Sequence, residues 1–222
     1  MFLTTAEADA IDAQVARVES RTGVRIVTAV VDKSDTYVEL PWKAFALGAS
    51  LAAFGVLVAD TWRPEWVTTN TALLHAVTIL GVAGVCALLV VFVPAFGRVF
   101  LRATRRDLEV RQHARSLFLT RELFNTRQRT GVLVLVSLFE RRIEILPDTG
   151  LHDRVSEADW RAVVSRMTPL LREARPFHAL QAGLAALEAL LVAKGLRAVE
   201  AGAPGGPGSN EVSDRPIEEP SA

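Results

Sequence analysis

The fold is decided by residues 73–96, LLHAVTILGVAGVCALLVVFVPAF, a stretch without any Asp, Glu, Lys or Arg. It is the most apolar part of a longer uncharged run, 67–97, and about 20 apolar residues are enough to cross the hydrocarbon core of a bilayer. A second uncharged run, 44–59, precedes it across the short loop 60–66. The two runs predict a transmembrane helical hairpin, and a hairpin buried in a soluble core is the alternative.

The first run is short for a membrane span, since about 16 helical residues rise only about 24 Å. Trp42 and Lys43 at one end and Trp62 at the other can lie at the level of the lipid headgroups and extend the span. The second run is long enough to tilt, or to end in a turn at the membrane surface.

Positive charge predicts the orientation, because Lys and Arg are enriched in the cytoplasmic segments beside membrane spans. Arg63 is the only basic residue in the loop between the runs. We therefore expect a multi-pass protein of the cell inner (cytoplasmic) membrane with both termini cytoplasmic. The basic residues that flank the hairpin on this side are Arg17, Arg21, Arg25, Lys33 and Lys43 before it, and Arg98, Arg102, Arg105, Arg106, Arg111 and Arg115 after it.

The formal net charge of the whole chain is +0, which gives no reason to expect nucleic-acid binding. The arginines that follow Gly97 are better suited to contact anionic headgroups, so the lipid bilayer is the first expected partner.

Soluble secondary structure is predicted on both sides of the hairpin. Before it, Thr4 and Glu7 have the spacing of a helix capping box, and a β-branched strand follows over 24–31. After it, 98–124 has the pattern of a long helix and 131–138 that of a strand buried on both faces. A second strand over 143–146 completes a tight hairpin with the first.

Two further helices are predicted before a polar tail. Ser156 with Asp159 can cap the first helix, and Pro169 is expected to kink or divide it. The second helix has leucines at alternating steps of three and four and can stop at Gly195. From Ala201 onward Gly, Pro, Ser and acidic residues predominate, which is typical of disorder.

Neither soluble half has enough strands and helices to form a core alone. We therefore predict one α/β domain, a small mixed sheet flanked by helices in three layers, which the membrane hairpin interrupts. The crossover between the two long strands is expected to be parallel and right-handed. The expected segments are 1–40 and 98–195 for the two parts of this domain, 41–97 for the hairpin and 196–222 for a disordered tail.

The order of these elements resembles the TPM domain family, whose members include a plant thylakoid-lumen phosphatase and a photosystem repair factor. The resemblance rests on 117–124, LFLTRELF, on 130–138, TGVLVLVSL, and on the charged turn 140–142. It also includes 167–171, MTPLL, and in the N-terminal part 22–30, TGVRIVTAV. The resemblance implies a TPM-like fold and makes this chain similar to a membrane-anchored member of bacterial type.

One candidate site follows from the fold, because the carboxyl ends of parallel strands lie at the same edge of a sheet. Asp32 and Asp35 follow the first strand, and Glu140 follows the second. Three carboxylates there can hold Ca²⁺ or Mg²⁺ through oxygen ligands. The resemblance points the same way, since TPM domains have been proposed to be metal-linked phosphatases. The alternative is structural: Asp32 and Asp35 cap the loop, and Glu140 is a solvated turn residue that pairs with Arg141 or Arg142.

We expect an integral membrane protein whose cytoplasmic TPM-like domain binds or regulates a partner, as an assembly or maintenance factor for a membrane complex. The alternative is a divalent-metal-dependent phosphatase that acts on a phosphorylated protein or a small phosphoester at the membrane surface. The sequence contains no phosphate-binding loop, dinucleotide fingerprint or His-Glu-x-x-His motif, so whether the domain is an enzyme is left open.

Overall fold

The computed structural model describes residues 2–34, 37–62, 69–100, 103–126, 128–198 and 217–219. The chain divides into two compact units, one made of 1–35 with 106–222 and the other of 36–105. The segment predicted as a hairpin, 41–97, falls inside the second unit.

The described chain contains helices and short strands in alternating groups. In chain order they are α1 Thr5–Thr22, β1 Arg25–Val31, α2 Glu39–Trp62, α3 Thr69–Phe92, α4 Pro94–Gly97, a 3-10 turn Arg98–Phe100, α5 Ala103–Thr120, β2 Gly131–Ser137, β3 Arg142–Pro147, a 3-10 turn Thr149–Leu151, α6 Glu157–Arg172, α7 Pro176–Ala193 and β4 Ile217–Glu219.

The sheet of the first unit has the order β3-β2-β1-β4. β1 runs parallel to β2, in a register that pairs Arg25 with Gly131 and Val31 with Ser137. β3 returns antiparallel to β2. The two long strands are therefore neighbours although almost a hundred residues separate them, which confirms the predicted parallel pairing and a mixed sheet in an α/β fold.

Helices cover both faces of this sheet. On one face Ile26 and Val30 of β1 pack with the buried sides of α1, α6 and α7. On the other face Val27 and Val31 pack with α5, which contributes Val110, Ala114, Leu117 and Phe118. β1 and β2 are apolar on both faces because each face lies against a helical layer. The predicted three-layer arrangement is confirmed.

The predicted end signals of the helices are present. Thr4 and Glu7 form the capping box of α1, and Gly23 ends that helix at φ 69°. Ser156 and Asp159 form the capping box of α6. Pro169 does not divide α6, which continues to Arg172. Pro169 lies in the last turn, so only three helical residues follow the point at which its ring can bend the helix.

In the second unit α2 and α3 are each 24 residues long. The first apolar helix is thus longer than the run 44–59, because the residues from Glu39 to Lys43 and the polar residues Asp60 and Thr61 before Trp62 also adopt helical structure. The second is shorter than 67–97, because Pro94 starts a separate helix. The long helix predicted over 98–124 is also divided, into a 3-10 turn and α5.

Small residues bring α2 and α3 close together. A Cβ placed on Gly48 would lie 2.9 Å from Cys86 Sγ and 3.1 Å from Ala83 Cα. Nearer the loop, His75 Nε2 lies 3.6 Å from Asp60 Oδ1. His75 of α3 therefore has an acidic neighbour on α2.

The structure describes two parts of the tail that was predicted to be disordered, 196–222. Leu196 is buried, and Ala198 N–H donates to the Arg21 carbonyl at 3.1 Å, so the folded unit extends beyond Gly195. Residues Ile217–Glu219 form β4, which pairs in parallel with Ala29–Val31. Parallel pairing needs only backbone groups, and these are not visible in a compositional pattern. Residues 199–216 and 220–222 lie outside the described residues.

Candidate functional site

The loop after β1 and the turn after β2 meet at one edge of the sheet. Leu138 N–H donates to the Val31 carbonyl at 3.0 Å, and Phe139 N–H donates to the Asp32 carbonyl at 2.8 Å. These bonds extend the parallel pairing of the strands into the loops. The expectation that both carboxyl ends share one edge is confirmed.

Glu140 is the buried acid at this edge, with 1% of its surface exposed. Its Oε1 accepts a hydrogen bond from Ser34 N–H at 3.0 Å, and its Oε2 accepts one from the Ser137 hydroxyl. The two serine hydroxyl oxygens lie 3.2 Å apart. We call Ser34, Ser137 and Glu140 the edge network. It links the loop after β1 to the turn after β2.

This geometry corrects the structural alternative for Glu140. The residue is not solvated, and each of its carboxylate oxygens accepts a hydrogen bond. Arg142 Nη2 instead lies 2.8 Å from Asp107 Oδ1 of α5. Arg141 has a positive φ of 51°, which lets the turn reverse so that Glu140 points inward while β3 begins beyond it.

The structure describes only one of the other two predicted metal ligands. Asp32 is partly exposed and contributes its carbonyl to the strand-end pairing. Asp35 lies outside the described residues. Among the residues that are described, no group of three or more His, Cys, Asp or Glu is arranged to hold a metal ion. The metal site at Asp32, Asp35 and Glu140 stays a prediction, and within the described edge the Glu140 carboxylate already has protein donors.

Another buried acid, Asp148, lies at the opposite end of β2, because its N–H donates to the Gly131 carbonyl at 2.8 Å. Its Oδ1 accepts from Thr149 N–H at 2.7 Å, and Arg129 Nε lies 3.1 Å from its Oδ2. Asp148 thus caps a turn, far along the strand from Glu140.

Two charged groups flank the edge network. Lys33 Nζ lies 5.2 Å from the centre of the Phe139 ring, within the range of a cation–π contact. On β3, burial raises the pKa of the Glu144 carboxyl, and the Arg111 guanidinium, with Nε 3.2 Å from Oε1, partly opposes that rise in pKa. The first contact joins the loop after β1 to the turn after β2, and the second joins α5 to β3.

The serines of the edge network were missed by the sequence reasoning. Ser137 is the polar residue that closes an otherwise apolar strand, three positions before Glu140, and this spacing is the available signal. Ser34 lies in a polar loop whose sequence has no distinguishing feature, and only the pairing of β1 with β2 brings it to Glu140.

Comparison with known proteins agrees with this architecture. Residues 86–190 match the family described as TPM domain. The fold is similar to that of the BA42 protein from the psychrophilic bacterium Bizionia argentinensis sp. nov., with a TM-score of 0.57 and 13% sequence identity over 99% of this chain and 97% of that one. No curated protein matches the sequence. The matched range runs from α3 to α7 and includes β2, the turn with Glu140 and β3.

Proposed function

Because this chain contains a domain of the TPM family, we propose that it is an integral membrane protein whose apolar hairpin holds that domain at the cytoplasmic face of the inner membrane. There the domain binds or regulates a partner, as an assembly or maintenance factor for a membrane complex.

The anchor is supported by one observation above all: α2 and α3 are apolar, and their apolar side chains are exposed. Within the most apolar 18 residues of each helix, only 11% of those in α2 and 6% of those in α3 are buried. Trp42 and Trp62 of α2 are 71% and 85% exposed. They are 20 residues apart in sequence, so they lie about 30 Å apart along the helix axis, which is about the thickness of the hydrocarbon core. A water-exposed surface of this kind would be an aggregation hazard.

A third helix, α7, is also long and apolar enough to span a membrane by composition. Its apolar residues have a different explanation, because Leu180, Leu184, Leu187 and Leu191 are buried in the core with β1 and β2. We therefore assign only α2 and α3 to the bilayer.

The orientation is supported by the distribution of basic residues described above. Lys43 lies near the start of α2 and Arg98 follows α4, so both lie at the ends of the hairpin that continue into the folded unit. Arg63, which lies outside the described residues, is the only basic residue in the loop between the two helices. A protein in this orientation has both soluble segments in the cytoplasm.

Binding is favoured over catalysis by the state of the edge network. A general base or metal ligand must reach a substrate or an ion. The Glu140 carboxylate is instead buried and accepts hydrogen bonds from Ser34 and Ser137. This arrangement suits a residue that holds the loop after β1 against the turn after β2.

The experiment that tests the anchor and its orientation uses the full chain in cells. We expect the protein to stay in the membrane pellet after alkaline carbonate extraction, and reporter enzymes fused after residue 34 and at the C-terminus to give cytoplasmic signals. A protein released by carbonate, or a periplasmic signal from either fusion, would contradict the proposal.

The alternative, a metal-dependent phosphatase, has a specific test. If Asp32, Asp35 and Glu140 hold Ca²⁺ or Mg²⁺, millimolar concentrations of the ion should raise the melting temperature of the purified protein, because binding stabilises the folded state. Asp32→Asn with Asp35→Asn should abolish that rise and any metal-dependent hydrolysis of a phosphoester. Glu140 is left intact in this variant because its hydrogen bonds affect stability without a metal. No response of the wild type to either ion would remove the support for the phosphatase.

A further inference from the structure

One face of α5 is exposed among the described residues of the folded unit, although Arg115 on it also interacts electrostatically with Glu144 of β3. Leu108, Gln112, Arg115 and Leu119 are exposed and follow one another at steps of four, three and four residues. At about 100° per residue they lie within an arc of about 60°. We call these four residues the outer face of α5.

The opposite side of the same helix accounts for its packing. Val110, Ala114 and Leu117 are buried against β1 and β2. The polar residues on its flanks also have partners: Asp107 lies 2.8 Å from Arg142, and Arg111 lies 3.2 Å from Glu144. The outer face thus has two large apolar side chains that the fold leaves exposed, Leu108 at 54% and Leu119 at 63%.

We propose that the outer face of α5 lies against the membrane and binds the headgroups of anionic lipids, with Arg115 as its charged contact and Leu108 and Leu119 inserted at the level of the headgroups. The inference rests on the proposed membrane anchor. It adds a second, electrostatic contact between the TPM domain and the bilayer.

Charge complementarity supports this occupant. The outer face contains Arg115 and no acidic residue, and Arg98, Arg102, Arg105 and Arg106 precede it in the sequence. Basic segments beside a membrane span are attracted to anionic lipids. An Arg side chain can place its guanidinium among the headgroups while its methylenes lie beside the leucines.

The length of the connection also supports it. α3 ends at Phe92 and α5 begins at Ala103, so ten residues, 93–102, join them. Even a fully extended chain of ten residues reaches only about 35 Å, and part of this connection is helical. If α3 spans the bilayer, α5 is held near its surface.

The test measures the environment of nitroxide labels in the full chain, reconstituted in vesicles of phosphatidylcholine alone or with 30% phosphatidylglycerol. In a Cys86→Ala background, single labels are placed at Leu119→Cys, at Leu80→Cys in α3 and at Ala162→Cys on the exposed side of α6. Collision with oxygen, which is enriched in lipid, is compared with collision with a water-soluble nickel complex. All three labelled residues are exposed, so the labels do not disturb the core.

We expect the label at 80 to be lipid-like in both vesicles and the label at 162 to be aqueous in both. The label at 119 should shift towards lipid, with at least a threefold fall in nickel collisions, when phosphatidylglycerol is present. Arg115→Gln should reverse the shift. Arg111 is kept because of its ion pair with Glu144.

Each of the other possible results would overturn the inference. A label at 119 that is aqueous in both vesicles, or equally lipid-like in both, overturns the anionic-lipid contact while the label at 80 still supports the anchor. Protection of 119 from both oxygen and nickel indicates that another protein copy covers the face, and also overturns it. An aqueous label at 80 overturns the anchor and this inference together.

Discussion

Glu140 shows how a single buried carboxylate can organise a sheet edge. It brings together Ser34, from the loop before the hairpin, and Ser137, from the last position of β2. A buried charge is tolerated when its oxygens accept hydrogen bonds, and an unpaired buried donor or acceptor is costly. Glu140 therefore contributes to stability through the groups that it satisfies.

We expect Glu140→Ala to lower the free energy of unfolding by about 1–3 kcal/mol, because it leaves Ser34 N–H and the Ser137 hydroxyl without this acceptor. Glu140→Gln should lose less, since its amide oxygen can still accept from one of them. Chemical denaturation of the detergent-solubilised protein measures both effects. Glu173→Gln, at an exposed glutamate, is the matched control. An unchanged midpoint for Glu140→Ala would show that the edge network does not support the fold.

Asp159 provides a residue whose charge can be tested by pH. The Lys194 ammonium, with Nζ 2.6 Å from Oδ2, and the Ser156 hydroxyl lower the pKa of Asp159 to about 2. Since the ordinary pKa of 3.8 is higher, the ionised carboxylate stabilises the folded state above pH 4, and that contribution is lost as the pH falls towards 2.

Asp159→Asn should therefore lower the melting temperature at pH 7, and the difference from wild type should shrink between about pH 4 and about pH 2. Thermal unfolding of both proteins across this range measures it, and the other acids titrate in both proteins and cancel in the comparison. A difference in melting temperature that is the same at pH 7 and pH 2 would contradict the assignment.

At the scale of elements, the closest packing in the second unit is that of α2 on α3. Helices in lipid associate through small residues that allow close approach. Gly48 is such a residue, because an added Cβ would meet Cys86 Sγ at 2.9 Å and the backbone at Ala83 Cα at 3.1 Å. At Gly55 of the same helix, an added Cβ would meet no atom within 4 Å among the described residues, apart from the backbone of its own helix.

We expect Gly48→Ala to weaken the hairpin and Gly55→Ala to leave it unchanged or slightly more stable, since Ala favours helix by up to about 1 kcal/mol over Gly. Titration with a denaturing detergent, followed by the loss of helical circular dichroism, compares the two variants. Equal midpoints would mean that Gly48 does not determine the packing of the two helices.

At the scale of the whole molecule, the folded unit is assembled from two parts of the chain on either side of the hairpin. β1 is paired along its whole length with β2, and the two faces of β1 take part in both cores. Neither part has a complete sheet without the other.

A chain that joins residues 2–34 to 107–198 through a flexible linker should therefore be soluble and unfold cooperatively, because it keeps β1 beside β2, the whole of α1, α6 and α7, and most of α5. Residues 107–198 alone should not unfold cooperatively, because β2 would lose its parallel neighbour. Urea unfolding followed by Trp160 fluorescence measures both, and cooperative unfolding of 107–198 alone would show that the segment before the hairpin is dispensable.

Much of the secondary structure was accessible from the sequence because its causes are local. The capping boxes at Thr4 and Ser156, the stop at Gly23 and the apolar run of β2 each depend on residues a few positions apart. The length and lack of charge of α3 are likewise properties of one segment. Even the parallel pairing of β1 with β2 could be predicted from the number of strands and helices in each half of the chain, since neither half could bury its own strand.

The parts that needed the tertiary structure involve groups far apart in the sequence. The sequence alone identified Glu140 as an acid at the strand edge, but its burial depends on Ser34, 106 positions earlier. Leu196 and β4 belong to the folded unit because α1 and β1 provide surfaces for them, although their own composition favours disorder. The sequence determines the individual helices and strands through local propensity and apolar period. Burial and long-range hydrogen bonds depend on which segments become neighbours, and only the assembled fold decides that.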